Sequence, residues 1–142
     1  WVFRPLQAAS MQRAAELLLG EHDFSSFRAS ACQSPTPVKT LRQIDISVCG
    51  GDKAHAYWRF EFEANAFLHH MIRNIMGCLL QVGQGLQPVS WVQEVLQARN
   101  RDVAAPTFPP DGLYFLGPQY APEWGLPTRT PAYDWLPCPM RP

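Results

Sequence analysis

The chain has 142 residues, 12 Lys+Arg balanced by 12 Asp+Glu, with 46% hydrophobic and 12% aromatic residues. That is one domain's worth of chain or one half of a larger domain, with enough apolar mass for a real core, which excludes intrinsic disorder for most of it. Charged residues reach only 17%, so part of the surface is expected to be covered, and the zero balance argues against an autonomous, non-specific nucleic-acid binder.

The first predicted element is an amphipathic helix over Leu6–Leu19, with Leu6, Met11, Ala14, Leu17 and Leu18 at near-helical spacing and Gly20 placed for a left-handed C-terminus. Glu21 to Pro37 follows, rich in Ser, with Phe24, Phe27 and two prolines. It reads as a loop, long enough to favour a working role over a passive one. From Leu41 to Cys49 the pattern turns period-two, with Ile44, Ile46 and Val48 on one side. Gly50-Gly51-Asp52 supplies a turn, and Tyr57–Ala64 returns with Trp58, Phe60, Phe62 and Ala64 on one face. An antiparallel hairpin with one buried face is expected.

Asn65 is a suitable N-cap for a helix over Ala66 to about Val82. Phe67, Leu68, Met71, Ile72, Ile75, Met76, Leu79 and Leu80 cover more than half of its circumference. The narrow stripe left over holds His70, Arg73, Asn74, Gly77 and Gln81. Glycine in a helix interior costs roughly 1 kcal/mol against alanine, so Gly77 is expected to admit another backbone or a ligand at close range. A further helix is predicted over Pro88–Ala98, with Ser90 and Gln93 as a capping box. Arg99–Pro110 reads as a loop and Gly112–Leu116 as a short, interior last strand. Ten of the 14 prolines lie from Pro106 onward. The division expected is an α+β domain over residues 1–116, with an antiparallel or mixed sheet flanked by helices, and an extended Pro- and aromatic-rich tail over 117–142 packed on it.

No stretch reaches the roughly 20 apolar residues of a membrane helix. A chain opening at Trp1 suggests a fragment or processed product. Cys32, Cys49, Cys78 and Cys138 form no Cys-x-x-Cys pair, so neither a zinc framework nor a disulfide scaffold is expected, and reduced thiols in the cytoplasm are the default. The basic residues are ten Arg to two Lys. Arginine suits planar contact with phosphate or carboxylate, although high genomic GC content gives the same skew.

Arg73 stands out, because an arginine on an otherwise buried helix face is expensive unless it meets an anion. A clamp on a phosphate or carboxylate in a cleft and an internal ion pair with one of the chain's own acids, such as Glu61 or Glu63, weigh equally from residues alone. His69 and His70 would point roughly 100° apart on a helix, and their i+4 positions hold Arg73 and Asn74. No metal site is expected there, and a hydrogen-bonding role at a helix start is favoured. In Phe24-Ser-Ser-Phe-Arg28 the two aromatics suit core anchoring, and Ser25, Ser26 and Arg28 are better candidates for RNA contact. No phosphate-binding glycine loop, nucleophile elbow or zinc-protease motif is present. A small hydrolase built on His69 or His70 would require activity in the chain by itself.

Three ordered segments resemble the TruA family of tRNA pseudouridine synthases. They are Leu19-Gly-Glu-His-Asp-Phe-Ser-Ser-Phe-Arg-Ala29 with Cys32-Gln-Ser34, Ala64-Asn-Ala-Phe-Leu-His-His-Met-Ile-Arg-Asn-Ile-Met-Gly77, and Asp111-Gly-Leu-Tyr-Phe-Leu116. The resemblance covers nearly the whole chain and implies the C-terminal half of such an enzyme. It implies a homodimer, without metal or cofactor, that isomerises uridine to pseudouridine at positions 38, 39 and 40 of the tRNA anticodon stem-loop. It further implies two related α+β halves joined into a continuous sheet across a basic cleft. The nucleophilic aspartate of the family lies in a Gly-Arg-Thr-Asp segment of the N-terminal half, and this sequence contains no such segment. The isolated chain is therefore expected to be inactive. By the same resemblance, Arg73 pairs with that aspartate and Leu113 lies beside the target base. Ser25, Ser26, Arg28, His70 and Asn74 are the candidate RNA contacts. Pro35 stands where relatives often carry a basic residue after Cys-Gln-Ser. A stand-alone RNA-binding or dimerisation module without catalysis is the alternative, and the upstream coding sequence separates the two.

Overall fold

A computed structural model describes residues 2–49 and 56–127. The elements in chain order are α1 (Ala8–Glu16), β1 (Gly20–Asp23), β2 (Val38–Cys49), β3 (Tyr57–Ala64), α2 (Met71–Gly83) and α3 (Ser90–Ala98), with single 3-10 turns at Ser25–Phe27, Arg101–Val103 and Pro122–Trp124. The strands form one antiparallel sheet in the order β1-β2-β3. The class is α+β.

Each helix buries the face its spacing dictates. Met11, Ala14, Ala15 and Leu18 are fully buried at i, i+3, i+4 and i+7. Met71, Asn74, Ile75, Cys78, Leu79 and Val82 continue the same rule along α2, and Val92, Val95 and Leu96 along α3. Phe24 and Phe27 lie in the same core, fully buried, with ring centroids 6.0 Å apart. Their anchoring role is therefore observed. In β2, Leu41 and Ile44 both face the core although they stand three apart, because the register slips between Leu41↔Ala64 and Gln43↔Glu63. One extra residue on β2 makes a bulge there, which returns the alternation to the core side.

Several elements differ from expectation. Gly20–Asp23 is a strand and not part of a loop; its glycine and three polar residues carry no apolar alternation, but pairing with Val38–Leu41 satisfies their backbone. The long helix starts at Met71, five residues after Ala66. Asn65 does not cap it: its Oδ1 accepts from Thr40 N (2.9 Å) and its own N–H donates to Thr40 O (3.1 Å), which ties it to β2. Ser90 and Gln93 form no capping box, since α3 has no side-chain cap and Val89 precedes it. The hairpin buries only the end near the helices. Ile44 and Phe62 pack into the core, while at the far end Val48 is 51% exposed and Trp58 and Phe60 stack on each other.

Gly112–Leu116 is not an interior strand. It is not one of the strands of the β1-β2-β3 sheet, and Phe115 is 77% exposed. Residues 117–127 are exposed as well. The expected turn at Gly50-Gly51-Asp52, Cys138 and the rest of the tail lie outside the described residues. Cys32 and Cys78 are free, whereas Cys49 is disulfide-bonded, so the expectation of reduced thiols does not hold at that position. Among the described residues no helix is long and apolar enough to cross a membrane.

Candidate functional site

The polar stripe of α2 is covered by one irregular segment, residues 104–110. Gly77 explains how it comes so close: a Cβ there would overlap Pro106 O and lie 3.4 Å from the Ala105 Cβ. The close approach expected at Gly77 is thus by backbone. Ala105 N donates to Cys78 Sγ (3.4 Å), and burial pushes the Cys78 thiol up from its ordinary pKa.

Arg73 and Phe108 clasp each other. Arg73 Nε donates to Phe108 O at 2.7 Å, and Phe108 N donates to Arg73 O at 3.1 Å. Arg73 enters no ion pair among the described residues. Glu63 pairs with Arg42 (3.6 Å), Glu61 pairs with Arg59, and Asp23 meets Arg99 (3.5 Å). The internal-pair reading of Arg73 is therefore not realised among the described residues. Since Nε carries a single hydrogen, its use by Phe108 leaves the two Nη groups as the edge that can grip an anion end-on and bidentately.

Asn74 is fully buried and satisfied. Its Nδ2 donates to Phe27 O (2.8 Å), and its Oδ1 accepts from Thr107 Oγ1 (2.7 Å) and Arg101 Nη2 (3.2 Å). Arg101 Nη2 also donates to Thr107 Oγ1 (3.0 Å). This group joins the Ser25–Phe27 turn, α2, and the segment after α3. The sequence reading missed Arg101, Thr107 and Phe108, because a loop has no periodicity to mark them; only Gly77 signalled that something crosses the helix.

His70 precedes α2 in the left-handed region (φ 62°), a conformation that histidine tolerates better than most residues. Its ring lies 4.0 Å from that of His69, centroid to centroid, so the two are neighbours and not splayed as on a regular helix. Desolvation first, then His69, Arg73 and Arg101, holds the His70 pKa below 6.5. The convergence of Arg73 and Arg101 on His70 makes this end of α2 electropositive. Among the described residues no three His, Cys, Asp or Glu side chains are grouped to hold a metal.

The remaining candidates divide by exposure. Arg28 Nη2 donates to Cys32 O (2.8 Å) and Ser34 O (2.7 Å) and so shapes the loop that precedes β2. That loop meets the entrance of α2, where Ala29 N donates to His69 O (3.1 Å) and His69 N to Cys32 Sγ (3.3 Å). The Cys32 thiol is drawn below its ordinary pKa by the N–H groups of Ser34 and His69, with Arg28 adding to the effect. Ser25 donates its hydroxyl to Asp23 Oδ1 (2.6 Å). Leu113 is half exposed, its N–H bonded to Pro110 O (3.0 Å).

Ser26 and Asn74 do not fit as RNA contacts, because both are fully buried. Ser26 Oγ donates to Val95 O and accepts from Asn100 N (2.9 Å), bracing α3 against the loop. Ser26→Ala is expected to cost about 2 kcal/mol of stability by stranding these two groups. Urea unfolding would show the loss, while tRNA affinity of the folded protein stays unchanged.

Comparison with known proteins follows the same line. A family model described as tRNA pseudouridine synthase matches residues 14–121. The chain is 69% identical over 137 residues to a tRNA pseudouridine synthase A of Albidiferax ferrireducens, covering 96% of this chain and 51% of the relative. It is 63% identical over 150 residues to that of Paracidovorax citrulli and 62% identical over 146 residues to that of Acidovorax ebreus, covering 54% and 53% of them. The chain spans about half the length of the curated relatives it matches.

Proposed function

Because the chain belongs to the tRNA pseudouridine synthase family, an isomerase family, we propose that it is the C-terminal half of such an enzyme. The whole protein isomerises uridine to pseudouridine at positions 38–40 of the tRNA anticodon stem-loop, in the cytoplasm and as a homodimer. The nucleophilic aspartate comes from the N-terminal half. Its carboxylate bonds to C1′ of the ribose as the C1′–N1 bond breaks; the freed uracil turns, its C5 bonds to C1′ and expels the carboxylate, and C5 then loses its proton while N1 gains one.

The observation that carries this reading is the state of Arg73. Its Nε is occupied by Phe108, and among the described residues no carboxylate pairs with it. A carboxylate presented to the free Nη edge would form a charge-assisted bidentate pair, which favours the ionised form and fixes its direction. The aspartate would thus be held as an anion and aimed. Leu113 supplies an apolar surface beside the target base, and Arg28, His70 and Ser25 contact the RNA around it.

The test follows pseudouridine in a tRNA substrate. This chain alone is expected to form none, and the polypeptide that joins it to its N-terminal half is expected to be active. Activity in the chain alone would overturn the assignment of the nucleophile to another segment. Tight tRNA binding with no turnover from either protein would favour the non-catalytic module.

A further inference from the structure

The position of the Arg73 guanidinium depends on a carbonyl, and that carbonyl belongs to a segment with no helix or strand to hold it. Residues 104–110 are irregular, interrupted by Pro106, Pro109 and Pro110. Proline has no N–H with which to tie such a segment down. Next to the Phe108 carbonyl, however, stands Thr107. Its hydroxyl donates to Asn74 Oδ1 (2.7 Å) and accepts from Arg101 Nη2 (3.0 Å). Asn74 is fully buried and adjoins Arg73 on α2. The segment is therefore fastened to α2 on two sides of one peptide, by Thr107 to Asn74 and by Phe108 to Arg73.

We propose that Thr107 is a positioning residue for Arg73, its hydroxyl holding the Phe108 carbonyl where that carbonyl fixes the direction of the guanidinium. This rests on the reading of Arg73 given above. The physics is that of a satisfied, partly buried network centred on the fully buried Asn74. Bonds in such a network support one another, and loss of one member loosens the rest. Without the hydroxyl, Arg101 keeps Asn74 Oδ1 and Ala104 O, but the side chain of residue 107 no longer bonds to α2, and the segment is left with the bonds of Ala105 to Cys78 and of Phe108 to Arg73. The Phe108 carbonyl, one residue along the chain, is then freer to shift, and Arg73 with it. A displacement of well under 1 Å matters at a site that must present two parallel N–H bonds to one carboxylate.

Thr107→Val tests this, because it keeps the β-branched shape and removes both hydrogen-bond functions. In the full-length enzyme, single-turnover pseudouridine formation is expected to fall on the order of tenfold or more. The tRNA dissociation constant is expected to change by less than about twofold. Thr107→Ser restores the rate, since it returns the hydroxyl. Thr107→Ala is made alongside, so that a Val variant failing to fold does not remove the test. Each is repeated in an Arg73→Lys background, where the loss is expected to vanish because the group being aimed is already gone. Equal, additive loss in both backgrounds, in step with a lower folded fraction, would overturn the positioning role. The two readings separate cleanly. A full rate in Arg73→Ala sinks the assignment of Arg73 itself. Loss in Arg73→Ala with a normal rate in Thr107→Val and Thr107→Ala sinks the role of Thr107 alone.

Discussion

Arg73→Ala in the full-length enzyme is expected to lower turnover by at least about a hundredfold, the scale seen when one preorganised electrostatic partner is removed from a reacting centre, while tRNA binding falls much less. The reason lies in which groups Arg73 can still reach. Its Nε is used within the chain and its Nη edge has no acid among the described residues. If the edge meets the nucleophilic carboxylate, the alanine variant leaves that carboxylate both harder to ionise and free to turn. The substrate, held by other contacts, would still bind. An ordinary phosphate contact behaves differently: affinity would fall across all tRNAs and the slope of log affinity on log salt would drop by about one. Equal loss of binding and turnover, with that change of slope, would reassign Arg73 to the RNA backbone. Arg73→Lys sharpens the test, because lysine keeps the charge but offers neither the fork nor the Nε that Phe108 holds. It is expected to resemble alanine in rate more than wild type.

What the residues alone made visible was whatever repeats or is locally expensive. The helical spacing of Met11, Ala14 and Leu18, and the alternation Trp58, Phe60, Phe62 and Ala64, placed a helix and a strand because each has a period. Arg73 and Gly77 were visible because each is costly where it stands. Long-range hydrogen bonds decided the rest. Asn65 has the chemistry of an N-cap, yet Thr40 takes its side chain and its backbone, and α2 begins only after His70 turns left-handed. Gly112–Leu116 has the composition of an interior strand, yet among the described residues the sheet ends at β1 and β3. Apolar composition records that a segment wants cover without recording who provides it. Ser26 and Asn74 show the converse. A small polar side chain reads as a surface group, and only tertiary contacts show that it is a buried brace.

Gly77→Ala is expected to be the most damaging single-methyl change in α2, and Gly83→Ala a mild one, although both replace glycine in the same helix. Alanine gains roughly 1 kcal/mol of helix propensity over glycine in either place, so the sign depends on what the new Cβ meets. At residue 77 it overlaps Pro106 O, a backbone atom of the segment that carries Thr107 and Phe108. That backbone cannot rotate away as a side chain can; the whole segment must lift, with Ala105, also in contact, moving too. Overpacking of this kind costs roughly 3 kcal/mol or more before propensity returns its part. Lifting the segment also pulls Phe108 O from Arg73. At residue 83 the new Cβ meets Met11 Sδ at 2.5 Å and Cγ at 2.7 Å. These belong to a flexible thioether that can take another rotamer, so much of the clash is relieved. Gly77→Ala should therefore lower the urea midpoint and the single-turnover rate together, with tRNA affinity less affected. Gly83→Ala should change stability by no more than about 1 kcal/mol and leave the rate intact. If the two variants unfold alike and turn over alike, the crossing segment is not what fixes Arg73, because displacing it would then have no more effect than repacking Met11.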